Sequence, residues 1–205
     1  MPHVISVIQT KGGTGKTTTT MMVASALVSL GYNVLALDSD KQRSAADWAD
    51  DAGDGLGFDV LHVPTERTLQ NALDRYTADD YGLDFIIVDT PPGSNSIVDA
   101  ASRAADLVLV PTGVSPLDMK RTQATLDAFD GTGIPVAVVL VNVDKREKLL
   151  DLAQETLSAN TYAALADTII PTRSATRKAG STVPRIETRP FAEWIDLAQE
   201  LNDAF

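Results

Sequence analysis

The stretch that most constrains this chain is Gln9-Thr10-Lys11-Gly12-Gly13-Thr14-Gly15-Lys16-Thr17-Thr18, set between the apolar run Val4–Ile8 and a helically patterned segment, Thr17–Leu30. Glycines at 12, 13 and 15 reach backbone conformations closed to other residues, so successive N–H groups can turn toward one anion. A helix starting near Lys16 adds the positive end of its dipole. Lys16 then supplies a point charge for β- and γ-phosphates, and Thr17 a hydroxyl ligand for Mg2+. The common G-x-x-x-x-G-K-[ST] template is met except at its first glycine. Strand before and helix after are the context the motif requires.

A phosphate loop of this kind implies a parallel sheet, and the rest of the chain agrees. Apolar runs recur at Val4–Ile8, Asn33–Leu37, Phe58–Val63, Phe85–Val88, Leu107–Val110, Val136–Val141 and Thr168–Ile170. They are rich in Val, Ile and Leu without clean alternation, as strands covered on both faces are. Helical patterns intervene at Thr17–Leu30, Leu117–Phe129 and Lys145–Leu157. The expectation is a doubly wound α/β fold, mostly parallel with helices on both faces, as one domain over 1–205. The chain has no cysteine, which excludes disulfides, cysteine-bound zinc, iron–sulfur clusters and a thiol nucleophile.

Carboxylates are expected at the ends of strands beside such a loop. Phe85-Ile86-Ile87-Val88-Asp89 is an apolar strand ending in an acid, with Thr90-Pro91-Pro92-Gly93 behind it. Asp89 would orient a Mg2+-bound water or the Thr17 hydroxyl, or else cap the following helix. Gly93 would offer a free amide to a γ-phosphate. Val34-Leu35-Ala36-Leu37-Asp38-Ser39-Asp40 carries two acids two positions apart, which share a face if the strand continues. One would serve the metal shell and the other the attacking water; spacing alone does not divide these roles. His3, His62, Trp48 and Trp194 read as structural.

The motif Lys11-Gly12-Gly13-Thr14-Gly15-Lys16-Thr17-Thr18 resembles the deviant Walker A loop of the ParA/MinD superfamily of ATPases. Asp38-Ser39-Asp40-Lys41-Gln42 resembles its second box, with Lys41 where proline is usual. Phe85 to Gly93 resembles its Walker B, and Pro111 with Ser115-Pro116-Leu117-Asp118 resembles the segment after the fifth strand of small ParA proteins. The resemblance implies ATP and Mg2+ as cofactors and Lys11 as a signature lysine reaching the partner's phosphates across an ATP-bound homodimer. It further implies Asp40 at the hydrolytic water, Asp38 near the metal shell, Asn142 at the adenine, and the segment Ile170-Pro171-Thr172-Arg173 closing over the base.

ParA-type function also implies nonspecific DNA binding, which sits oddly with a net charge of −11. The basic residues are unevenly placed, however. Thr172–Pro190 holds Arg173, Arg177, Lys178, Arg185 and Arg189 against one acid, Glu187. Arg177, Lys178, Arg185 and Arg189 are the expected DNA contacts, with Lys145, Arg146 and Lys148 a weaker second group. Two copies of such a patch on one dimer would bind far better than one. The last segment, Phe191–Phe205, has helical apolar spacing but an acidic polar face, which fits core packing and not a membrane surface. The reading is therefore a slow, partner-stimulated ATPase that partitions a plasmid or chromosome with a ParB-type centromere-binding partner, in the cytoplasm on the nucleoid. The alternatives are a ParA-like protein positioning a protein cargo through another adaptor, and a ligase of the dethiobiotin-synthetase type.

Overall fold

The structure, a computed structural model, describes residues 1–78, 81–93, 96–144, 146 and 148–205, with Arg177 described in its backbone alone. Seven parallel strands form one sheet in the order β3-β2-β4-β1-β5-β6-β7. They are β1 (His3–Val7), β2 (Val34–Asp38), β3 (Asp59–His62), β4 (Phe85–Asp89), β5 (Leu107–Thr112), β6 (Val136–Val143) and β7 (Ala164–Pro171). The helices are α1 (Lys16–Ser29), α2 (Ser44–Ala52), α3 (Glu66–Ala78), α4 (Ser96–Ala104), α5 (Pro116–Asp127), α6 (Leu149–Ser158), α7 (Ser174–Lys178) and α8 (Ala192–Asn202).

Five of the apolar runs without alternation, β1, β2, β4, β5 and β6, are strands buried on both faces, while β3 and β7 are edge strands with half-exposed patterns. In β1, Ile5 and Val7 pack beneath α1, α2 and α8, while Val4 faces the α3 and α4 side. Helices α5 and α6 close that second face over β5 and β6. Helix α1 is buried along most of its length, between the sheet and α8, as its run Met21-Met22-Val23-Ala24 requires. The apolar side of α8, with Trp194, Leu197, Ala198 and Leu201, lies in this same core. Among the described residues no helix is long and apolar enough to cross a membrane.

The differences from the sequence reading have physical causes. Strand β7 begins at Ala164, four residues ahead of its apolar run, because it is an edge strand with a half-exposed pattern. Its edge is partly covered, with the Asp167 and Thr168 amides donating to the Glu200 carboxylate at 2.6 and 3.1 Å. Helix α6 begins at Leu149 and not at Lys145, which lies outside the described residues. Helices α2, α3 and α4 carried too short or too polar a pattern to be singled out.

The topology puts β1 at the point where the chain reverses its direction of growth across the sheet, with β4 on one side and β5 on the other. Ligands of open α/β sheets bind outside the carboxyl ends of the strands at such a point. Register brings Val7 and Asp38 each opposite Asp89, so the phosphate loop and two acids emerge at one level. Leu27, with no exposure, is central to the α1 packing. Leu27→Ala is expected to cost about 2–5 kcal/mol in a denaturant melt.

Candidate functional site

The loop after β1 forms the floor of the site. Gly13 and Gly15 have φ of +75° and +90°, conformations that favour glycine, and Gly15 leads directly into α1. The loop is held from within: the Thr14 hydroxyl and the Lys16 ammonium both donate to the Lys11 carbonyl, each at 3.3 Å. Lys16 is 7% exposed. Burial lowers its pKa, against the opposing charges of Asp89 and Asp40. A cation so placed gains from any anion entering the loop.

Thr17 donates its hydroxyl to Asp89 Oδ2 at 2.7 Å. Asp89 is fully buried and its Oδ1 has no partner. Burial pushes its carboxyl up to about 7, although the Thr17 hydrogen bond and the Lys16 charge pull the other way. A hydroxyl and an unpaired carboxylate oxygen side by side are hard oxygen donors of the kind Mg2+ takes, so the residues fit that ion. Behind them, the Gly93 amide donates to the Thr10 carbonyl at 2.9 Å, so it is occupied here and not free for a phosphate as expected.

Asp38 and Asp40 are sharply different. Strand β2 ends at Asp38, and the Ser39 amide and hydroxyl both donate to the Asp89 carbonyl, tying the strand end to β4 before the chain leaves the strand. The two acids therefore do not share a strand face. Asp38 has no exposure; its Oδ2 accepts from the amides of Ala45 and Ala46 at the start of α2, and its Oδ1 from the Asp40 amide. Burial raises its pKa in spite of these bonds. Asp40 is half-buried in the loop, its Oδ1 accepting from the Gln42 amide and its carbonyl bonded to His62.

Lys11 turns to the other side. Its ammonium contacts Asp118 Oδ1 at 2.8 Å, at the start of α5, while the Ser115 hydroxyl donates to Asp118 Oδ2. Burial raises the Asp118 pKa, but these bonds and the Lys11 charge outweigh it and leave the carboxyl below its usual range. Beneath this pair, the buried Gln9 amide joins loop to helix. It donates to Thr122 and accepts from Thr125 and the Thr10 amide.

A cleft of about 400 Å3 opens beside the loop, lined by Lys11, Gly13, Thr14, Gly15 and Thr18 on one wall. Asn142, Pro171 and Arg173 line it further along, bringing the expected adenine contacts to the same cavity as the loop. Asn142 has φ of +56°, at an irregularity in the β6–β7 register. Thr172 is exposed and outside the lining, its amide tied to the Val143 carbonyl. Gly12, Lys16 and Thr17 lie outside the cleft's lining. The sequence reading missed Gly113, Val114, Thr176 and Trp194 as lining residues. Trp194 gave no separate signal, because it is simultaneously a core residue of α8.

Of the basic cluster, Arg173 is paired with Glu193 and lines the cleft. Lys178, Arg185 and Arg189 are exposed and form no ion pair among the described residues, whereas the side chain of Arg177 lies outside them.

Comparison with known proteins agrees with this geometry. Residues 5–183 match the model of the CobQ/CobB/MinD/ParA nucleotide binding domain. A maintenance of carboxysome distribution protein A from Gloeobacter kilaueensis is 37% identical over 147 residues, covering 71% of this chain and 65% of that protein. A putative plasmid partition protein from Borrelia burgdorferi, solved with AMPPNP, superposes with a TM-score of 0.79 at 16% identity over 100% of both chains. pNOB8 ParA bound to nonspecific DNA superposes with a TM-score of 0.70 at 18% identity, over 99% of this chain and 98% of that one. The chain spans less than two thirds of the length of the curated relatives it matches, from 51% to 65%.

Asp89 gives the site a pH signature. Between its ordinary 3.8 and about 7, the folded chain keeps a proton that the unfolded chain has lost. Stability of the nucleotide-free protein should therefore fall as pH rises through that window and level off above it, by roughly 3 kcal/mol between pH 5 and 8. Urea melts at a series of pH values read this slope, and Asp89→Asn should remove most of it.

Proposed function

This chain belongs to the CobQ/CobB/MinD/ParA nucleotide-binding family, and from that premise we propose that it is a positioning ATPase that pairs on binding ATP and Mg2+, holds nonspecific DNA as a dimer and lets go after hydrolysis. The observation that carries the reading is the division of labour between two lysines of one loop. Lys16 is buried beneath the phosphate cradle, whereas Lys11 lies at the rim with its side chain 36% exposed. A lysine in the second position can reach a phosphate in a facing copy.

The chemistry follows from the residues present. The amides of the loop receive phosphate oxygens, and Lys16 exchanges the Lys11 carbonyl for the β- and γ-phosphates. Thr17 directly, and Asp89 through water, would hold Mg2+, which neutralises phosphate charge. Asp40, outside the strand and half-open, orients the attacking water. Asp38 serves the metal shell by fixing this loop, since both its oxygens already accept backbone amides. Lys11 must leave Asp118 to act in trans. In this reading turnover is slow until a partner docks. Asn142, Pro171 and Arg173 close on the adenine, with Thr172 outside the cleft.

Lys178, Arg185 and Arg189, with Arg177, form the DNA surface in this reading, supported by the relative solved on nonspecific DNA. The cargo is a plasmid or chromosome carried through a ParB-type partner. A second reading, favoured by the carboxysome-distributing relative, is a protein cargo carried by another adaptor. Both place the protein on the nucleoid.

Fluorescence anisotropy with random-sequence duplex DNA tests the proposal. Binding should appear with ATP and Mg2+ and be absent with ADP or in Lys16→Ala. Lys178→Glu combined with Arg185→Glu should weaken it at least about tenfold and flatten its salt dependence. DNA binding indifferent to nucleotide, or to these reversals, contradicts the reading.

A further inference from the structure

Lys178 ends α7, and the segment that runs on from it to α8 carries Arg185 and Arg189, yet apart from a short 3-10 turn at its end that segment has no helix or strand of its own. Its internal bonds are short-range turns, such as the Thr182 amide to the Ala179 carbonyl and the Thr188 amide to the Arg185 carbonyl. Something outside the segment must fix its position. Helix α2 does so.

Trp48 of α2 is 4% exposed, and its indole N–H donates to the Thr182 carbonyl at 2.8 Å. Just beyond α2, Gly55 approaches the same segment so closely that a Cβ there would lie 2.5 Å from a methyl of Val183. Ala179 and Ile186, on either side of that contact, are buried in one cluster with Trp48 and Leu56. The segment is thus pinned at its middle by one directional bond and at its flanks by apolar burial, and its basic side chains project outward.

The other end of α2 is held from the nucleotide side, where Asp38 accepts the amides of Ala45 and Ala46. One nine-residue helix therefore touches the acid-bearing loop at its start and the basic segment through its middle. We propose that Trp48 is a positioning residue for DNA binding: through its bond to Thr182 it holds Lys178, Arg185 and Arg189 in the arrangement that meets phosphates. Helix α2 is then the physical link between the nucleotide loop and the DNA surface. This rests on the DNA-binding reading above.

Trp48→Phe tests it, because it keeps an aromatic ring in the core and removes the donor. A single partly buried hydrogen bond of ordinary strength predicts a 3- to 10-fold weaker binding of random-sequence duplex in ATP and Mg2+, roughly the effect of 1 kcal/mol. The slope of log affinity against log salt should fall by about one, since displaced side chains lose a phosphate contact. ATP turnover without DNA should stay within about twofold of wild type, and amide exchange across 180–188 should quicken while α1 and β1 stay protected. Wild-type DNA affinity and salt slope in Trp48→Phe overturn the proposal, and so does an affinity loss accompanied by an equal loss of turnover, which marks a general packing defect. If Lys178→Glu with Arg185→Glu leaves DNA binding intact, the DNA reading itself has failed. Exchange across 180–188 then still decides whether Trp48 positions the segment, with unchanged exchange overturning it.

Discussion

Asp89 stands at the carboxyl end of β4 with no exposure, one carboxylate oxygen holding the Thr17 hydroxyl and the other without a partner. Leaving a buried carboxylate half-satisfied is costly, and the cost appears as a pKa near 7. The surroundings are arranged to hold it there. Its backbone carbonyl accepts both the amide and the hydroxyl of Ser39, which ties the end of β2 to β4. Its strand is in register with Val7 and Asp38, so the loop that carries Lys16 and the loop that carries Asp40 start from one level. Ligand binding can relieve the unpaired oxygen, which links the stability of the empty protein to the occupancy of its site.

Two linkages lead outward from this centre. One passes through Gln9 and its threonine partners to α5, whose first turn holds Lys11 through Asp118. The other passes through Asp38 to α2, and from Trp48 to Thr182. Both begin in buried polar contacts and end in partly buried ones, directional bonds through which a displacement at the loop can be passed outward. The acidic bulk of the chain and the basic stretch 172–190 fit this arrangement. With a net charge of −11, any DNA binding in the proposed reading depends on the position of a few basic side chains, two of them, Arg185 and Arg189, on a segment with little structure of its own.

Much of this was legible in the sequence. The five inner strands are buried, continuous apolar runs and could be named as such, the two half-exposed edge strands β3 and β7 left weaker apolar signals, and a glycine-rich loop with Lys and Thr behind it has few other uses. What stayed hidden depended on side chains from distant elements. Spacing could not separate Asp38 from Asp40, because their difference lies in amides of α2 that only the fold brings near. Gly93 looked free because its acceptor, the Thr10 carbonyl, is 83 positions earlier in the chain. Trp48 and Trp194 read as core residues, and they are; their second roles come from the Thr182 carbonyl and from the cleft wall, neither of which leaves a local pattern.

The central claim is that one nucleotide site is completed by a second copy through Lys11. Sedimentation velocity tests this most directly, using Asp40→Ala to slow hydrolysis. The account predicts a dimer with ATP and Mg2+, a monomer with ADP, and a monomer in both when Lys11→Ala is added. A chain that stays monomeric with ATP, or dimerises as well without Lys11, contradicts it.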